Sequence, residues 1–257
     1  MSTVLAAAGT RERASVLGNA GVDRIIAYHS SAYRERGLPS VAGLLPWASA
    51  NEQTLAMLPG VLDGAGATPV LATVCANDGL IPRSEMIDRL RDAGAVGVLN
   101  APTVGLLDGT VRLVLEAEGL GRDAEIALLA EAVDAGLEAW AYVFDPAWTR
   151  LAIEEGATGV IIHLGITGYP SSTSVEACLQ VAADLGARHV VLHGGTLTTP
   201  AELRWVLDSI PEPVRVVNGY MGASVFERTD DTAAAVRAWR DVLPGGGAGQ
   251  GVDDDRR

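Results

Sequence analysis

The sequence predicts a single (β/α)8 TIM barrel, an α/β fold in which eight parallel strands alternate with eight helices. Two observations predict it. A unit of helix end, glycine and short apolar run recurs along the chain, and 257 residues with 48% hydrophobic side chains are enough for one large core. In the recurring unit, Gly21 precedes the run 24–28, Gly94 precedes 96–100, Gly136 precedes 139–144, Gly156 precedes 159–163 and Gly186 precedes 189–193. Glycine past a helix end takes the left-handed conformation without a Cβ penalty. An apolar run of about four to six residues suits a strand buried on both faces. Strands at 3–8, 69–75 and 214–218 complete the eight.

Helical patterns fill the intervals at 11–20, 51–62, 82–93, 123–135, 146–155, 172–185, 200–209 and 230–242. Pro82, Pro146 and Pro200 suit a first helical turn, and Ser172 and Thr199 suit N-caps. A doubly wound open sheet is the alternative topology. Two connections, 29–50 and 101–122, are longer than a strand-to-helix loop requires, which marks them as functional. The barrel domain is expected over 1–243. The tail 244–257, glycine-rich and then charged, is expected to be disordered.

Composition excludes several chemistries. All nineteen basic residues are arginine. Without a lysine, neither a Schiff-base aldolase nor a pyridoxal-phosphate enzyme can be built from this chain, and borohydride has no side-chain imine to trap. A net charge of −13 disfavours nucleic acid and anionic membrane as partners but allows a small anion held locally. No apolar run reaches membrane-span length and the first residues lack a basic leader pattern, so a cytoplasmic location is expected. Cys75 and Cys178 form no C-x-x-C pair.

In this fold the strand C-termini supply the active site. Read in order they offer Gly9, then His29 and Ser30, Cys75 and Asp78, Asn100 and Thr103, Tyr142, His163, His193, and finally Asn218 and Tyr220. Three of the four histidines fall at such ends, which suggests acid–base chemistry or a metal, Mg²⁺ or Zn²⁺; alternation along a strand could equally turn one or two of them away from the axis. His189 begins its strand on the opposite rim. Asp78 is either a general base or metal ligand, or an Asx-turn in Asn77-Asp78-Gly79. Cys75 is a candidate nucleophile or a small buried hydrophobe. Gly194 and Gly195 after the seventh strand, and Gly222 and Ser224 after the eighth, are expected to present backbone amides to a phosphate or carboxylate, with Arg228 as the anion clamp. Trp205 and Trp239 on outer helices suggest a homo-oligomer, unless both pack against the sheet.

The stretches Gly43-Leu44-Leu45-Pro46-Trp47 with Ala50-Asn51-Glu52, Val98 to Gly109 around Asn100-Ala101-Pro102-Thr103-Val104-Gly105, His163-Leu164-Gly165, His193-Gly194-Gly195 and Gly222-Ala223-Ser224 with Glu227-Arg228 resemble the phosphoenolpyruvate hydrolase-like family. The resemblance covers roughly residues 3 to 243. It implies a barrel akin to those that bind phosphoenolpyruvate or pyruvate, hydrolysis of a small oxo- or enol-acid, and a place for Glu52 in the site. The chain departs from relatives at His29-Ser30-Ser31 and at 168–172.

Three functions remain open on the sequence. The first is a hydrolase cleaving a C–C bond or an enol phosphate with His163 or His193 and Asp78. The second is a metal-dependent lyase. The third is a ligand-sensing barrel without turnover, which would tolerate His→Gln changes.

Overall fold

The structure is a computed structural model that describes residues 2–45, 48–169 and 173–245. Most of the expected tail, 246–257, the cap residue Ser172 and the motif residues Pro46 and Trp47 lie outside the described residues. Eight parallel strands close into a barrel in chain order: β1 Thr3–Ala8, β2 Arg24–Ala27, β3 Val70–Val74, β4 Gly97–Asn100, β5 Glu138–Val143, β6 Gly159–His163, β7 Val190–His193 and β8 Gly219–Gly222. The open-sheet alternative is excluded by the pairing of β1 with β8.

Helices wrap the barrel: α1 Arg11–Asn19, α2 Ser31–Arg34, α3 Ala50–Ala65, α4 Arg83–Ala93, α5 Gly109–Ala117, α6 Arg122–Asp134, α7 Pro146–Glu154, α8 Val175–Asp184, α9 Pro200–Ser209, α10 Ser224–Glu227 and α11 Thr232–Val242. Their ends follow local chemistry. Asp145 caps α7 by accepting from Trp148 N at 2.7 Å, and Thr199 with Glu202 forms a capping box on α9. The five recurring glycines carry φ between 67° and 99°, as a left-handed helix end requires. Among the described residues no helix is long and apolar enough to cross a membrane.

The eighth strand lies further along the chain than its apolar pattern suggests. Pro211 and Pro213 direct Glu212–Val214 into a 3₁₀ turn, and the strand forms from Gly219-Tyr220-Met221-Gly222. Glycine is required there rather than loop-forming: a Cβ at Gly219 would meet Val191 Cγ2 at 2.7 Å and Thr3 O at 2.9 Å. Two expected site residues move as a result. Asn218 sits at the N-terminal rim, donating to Arg188 O and accepting from Val190 N. Tyr220 points outward and stacks on Trp239 at 3.6 Å. Trp239 is therefore core, while Trp205 is 73% exposed.

Strand alternation divides the interior from the outer layer. Leu5, Ile26, Leu71, Leu99, Trp140, Tyr142, Ile161, Val191 and Met221 fill the barrel. His163 and His193 share the inward face of Ile161 and Val191 by the period of two, and they are direct neighbours in the β6–β7 register.

Candidate active site

A narrow cavity opens over the interior cluster at the C-terminal rim. It is lined by Tyr28, His29 and Ser30 after β2, Arg34 of α2, Pro102, Thr103 and Leu106 after β4, His163 with residues 165–167 after β6, His193 of β7, and Ala223 and Ser224 after β8. Ser40, Val41 and Leu44 from the long connection after β2 form its roof. Both long connections thus reach it. Its volume is about 50 Å³, room for a few water-sized groups at about 10–15 Å³ each.

The two inward histidines are neutral and in complementary tautomers. Gly165 N donates to His163 Nδ1 at 3.1 Å, so that nitrogen carries a lone pair and the proton lies on Nε2. His193 Nδ1 lies 2.9 Å from the Met221 carbonyl, which can only accept, so the proton lies on Nδ1 and Nε2 keeps its lone pair. The rings stand edge to face with centroids 4.8 Å apart. Burial holds both below the ordinary imidazole range, His193 down to about 4 and His163 well below it, with the neighbouring His193 adding to the shift at His163. Tyr142 is the floor: its ring stacks on His193 at 5.5 Å and meets His163 edge-on at 4.7 Å.

His29 is buried at the mouth. Its Nε2 lies 3.1 Å from Gly43 O and 3.2 Å from Ser30 Oγ, and Nδ1 has no partner among the described residues. Burial lowers this ring to about 4 as well. Gly43 belongs to the motif over the roof, where a Cβ would meet Ser30 Oγ at 2.5 Å.

The cation in the wall is Arg34, which motif reasoning missed. Its Nε donates to Glu227 Oε2 at 2.5 Å, and its Nη2 donates to Glu227 Oε1 at 3.0 Å and Ser31 Oγ at 2.7 Å. The pair is 4% and 11% exposed. The Tyr28 ring lies 5.4 Å from the Arg34 guanidinium carbon. Arg228, the expected clamp, is exposed and lines no part of the cavity. A one-residue neighbourhood around Glu227 was legible; an arginine 193 positions away was not.

Buried Glu125 of α6 is the second residue missed. Its Oε2 accepts from Asn100 Nδ2 at 2.5 Å and its Oε1 from Val104 N at 2.8 Å. It thereby clamps the Asn100–Gly105 motif against the barrel. Asn100 points outward to Glu125 and Tyr142 N rather than into the cavity, whereas Thr103 lines it. Burial pushes the Glu125 carboxyl up to about 7. Glu125→Gln places an NH₂ against one of two donors, so it should cost about 1–3 kcal/mol. Urea unfolding checks this, and an unchanged midpoint would dismiss the clamp.

Other expected residues stand apart. Asp78 accepts from Ser49 Oγ at 2.5 Å, from Asn51 N at 3.1 Å and from Leu80 N at 3.3 Å, so it organises a turn and the start of α3. Glu52 is exposed on α3. Cys75, its thiol pushed up to about 11 by burial, faces a separate surface hollow with Asp78. Gly9 abuts Ser31 and Glu35. Gly195 N is already donated to Gly165 O at 2.9 Å, and Gly194 and Gly195 pack on the loop after β6. Gly222 backs onto Phe226, leaving only Ser224 of the eighth-strand set in the wall. The expected glycine-amide anion cup is not assembled.

A Mg²⁺ or Zn²⁺ ion does not fit the donors present. Magnesium requires oxygen ligands and zinc several nitrogen, sulfur or carboxylate ligands. Among the described residues no Asp, Glu or Cys lines the cavity, and no group of three or more His, Cys, Asp or Glu side chains is placed to hold a metal.

Comparison with known proteins bears on the family and the fold. The tomato (Solanum lycopersicum) ToMV resistance protein Tm-1(GCR237) is 37% identical over 87% of this chain, which spans 31% of that protein's length. The putative transcriptional regulatory protein y4pA of Sinorhizobium fredii (strain NBRC 101917 / NGR234) is 27% identical over 87% of this chain and 38% of its own. The chain therefore spans about a third of these relatives. Among solved structures, a phosphonopyruvate hydrolase complex with oxalate and Mg²⁺ superposes with a TM-score of 0.56 at 12% identity, covering 92% of this chain and 80% of the other. A phosphoenolpyruvate phosphomutase from Streptomyces platensis subsp. rosaceus gives 0.56 at 18% identity, with coverage of 92% and 81%. At such identities the likeness is one of fold. The sequence profile described as phosphoenolpyruvate hydrolase-like matches residues 2–241, and the chain belongs to that family.

Proposed function

We propose that this barrel is a hydrolase of a small oxo- or enol-acid. The observation that carries the reading is the complementary pair of neutral imidazoles on one rim, His193 presenting a lone pair and His163 an N–H. In this reading His193 Nε2 takes a proton from water as the water attacks the substrate. His163 Nε2–H donates to the oxygen on which negative charge develops, a role a neutral imidazole can fill without a metal. The imidazolium left at His193 is supported by the Met221 carbonyl and the stacked Tyr142 ring, and it then returns its proton to the leaving group. Arg34 holds the substrate's carboxylate, and the bulk charge of −13 leaves a small anionic or carbonyl-containing molecule as the partner.

The test is turnover of a panel of small keto and enol acids, followed by proton NMR across pH. Because His193 is lowered to about 4 and must be unprotonated to act, kcat/KM should be lost as pH falls through about 4 and be level from there to neutrality. The same lowering in His29 and His193 makes stability fall as pH drops from 6.5 toward 4, since the unfolded chain takes up those protons first. Circular dichroism at each pH separates the two effects. A rate that rises as pH falls would reject His193 as the base.

A further inference from the structure

We infer that the cavity takes a keto acid carrying one carboxylate and no phosphoryl group, binds it without a divalent cation, and hydrolyses a C–C bond between two carbonyls. This rests on the hydrolase reading above and selects one branch of it.

The argument is a charge balance. The only cationic side chain in the cavity wall among the described residues is Arg34, and Glu227 already cancels it through two hydrogen bonds. His163 accepts a backbone N–H and so carries no charge, and His193 has a single proton on Nδ1. The site is therefore close to neutral before substrate enters. The charged donor open to an anion is Arg34 Nη1, which has no protein partner among the described residues, with the hydroxyls of Ser224 and Thr103 nearby in the wall. One carboxylate can be met by such a set. A phosphoryl group beside a carboxylate adds two further negative charges, and burying unpaired charge costs several kcal/mol per ion. The Gly195 amide is spent on Gly165 O, and among the described residues no Asp or Glu lines the cavity to bring a cation.

Without a phosphoryl group, the enol-phosphate branch of the reaction has no substrate. The remaining one is hydrolysis of a 1,3-dicarbonyl. Water oxygen bonds to the carbonyl carbon, and its proton goes to His193 Nε2. The oxyanion accepts from His163 Nε2–H. The C–C bond then breaks, its electron pair passing to the carbon next to the second carbonyl as an enolate, and His193 protonates that carbon. The products are a carboxylic acid, which releases its proton to solvent, and a shortened keto acid.

The test uses the full chain and three probes: pyruvate, phosphoenolpyruvate and acetopyruvate. Calorimetry is run at constant ionic strength in EDTA and again in Mg²⁺, and acetopyruvate is followed by proton NMR in EDTA. Pyruvate should bind at least about tenfold more tightly than phosphoenolpyruvate, a gap of about 1.4 kcal/mol, and Mg²⁺ should leave its Kd unchanged. Acetopyruvate should be split into acetate and pyruvate. Tighter binding of phosphoenolpyruvate, a requirement for Mg²⁺, or binding of no probe overturns the inference. Metal-free pyruvate binding with no turnover of acetopyruvate, but turnover of another keto acid, overturns the C–C step alone. Binding with no turnover of any acid in the panel rejects the hydrolase reading and leaves the ligand class standing.

Discussion

His193→Gln lowers kcat by about 10²–10⁴, the usual contribution of a positioned general base, while pyruvate affinity changes little. The lone pair on His193 Nε2 lies beside the His163 N–H on the inner rim, whereas His29, the other unprotonated imidazole of the lining, sits at the mouth, and the carboxylates of Asp78 and Glu125 are bonded elsewhere. Glutamine keeps polarity and approximate volume beside Tyr142 and Met221 but cannot accept a proton at this pH. The experiment pairs steady-state kinetics with calorimetry on pyruvate and a thermal melt. A barrel that only senses its ligand tolerates this change, so unchanged ligand response with no measurable turnover in the parent protein favours sensing. A parent that turns over and a variant that does so equally fast removes His193 from the mechanism.

Arg34→Met has the largest expected effect on stability. It leaves the Glu227 carboxylate 11% exposed with no cation, and truncating one partner of a buried ion pair costs about 3–5 kcal/mol. Adding Glu227→Leu removes the orphaned charge, and the double variant should regain most of the loss, as apolar replacements of buried pairs commonly do. Pyruvate binding should not return with it, because the anion contact at Arg34 Nη1 is gone. Urea unfolding and calorimetry on the two variants read the two outcomes separately. If the double variant binds pyruvate normally, the carboxylate is held elsewhere; if the single variant unfolds at the parental midpoint, the pair contributes nothing.

The resemblance to known family members pointed to loops that line or support the cavity, but not to which of the two each residue does. The Asn100–Gly105 stretch is a structural clamp site as much as a lining: Asn100 and Val104 serve Glu125, and Gly105 is a glycine because Phe144 packs where its Cβ would be. Likewise the His193-Gly194-Gly195 turn is shaped to let the loop after β6 pass close by, not to hold an anion. A motif records that residues are needed in a place; whether they face the cavity or support its wall depends on neighbours that are distant in the chain.

What the sequence by itself determined was whatever short-range geometry controls. Helix-end glycines marked five of the eight strands and apolar runs marked two more, and the strand ends placed His163 and His193 on one rim, while the structure turned both rings inward with Ile161 and Val191. The absence of lysine excluded a side-chain imine. The tertiary structure decided the rest. It moved β8 onto Gly219–Gly222, because only glycine fits between Val191 and Thr3 when the barrel closes. It joined Arg34 to Glu227 and brought Glu125 under the loop after β4. It set the two histidine tautomers through the Met221 carbonyl and the Gly165 amide. Caps and alternation act over a few residues and leave a local signature. Charge pairing and proton placement depend on which backbone groups closure brings within about 3 Å, and no window of the sequence contains both partners.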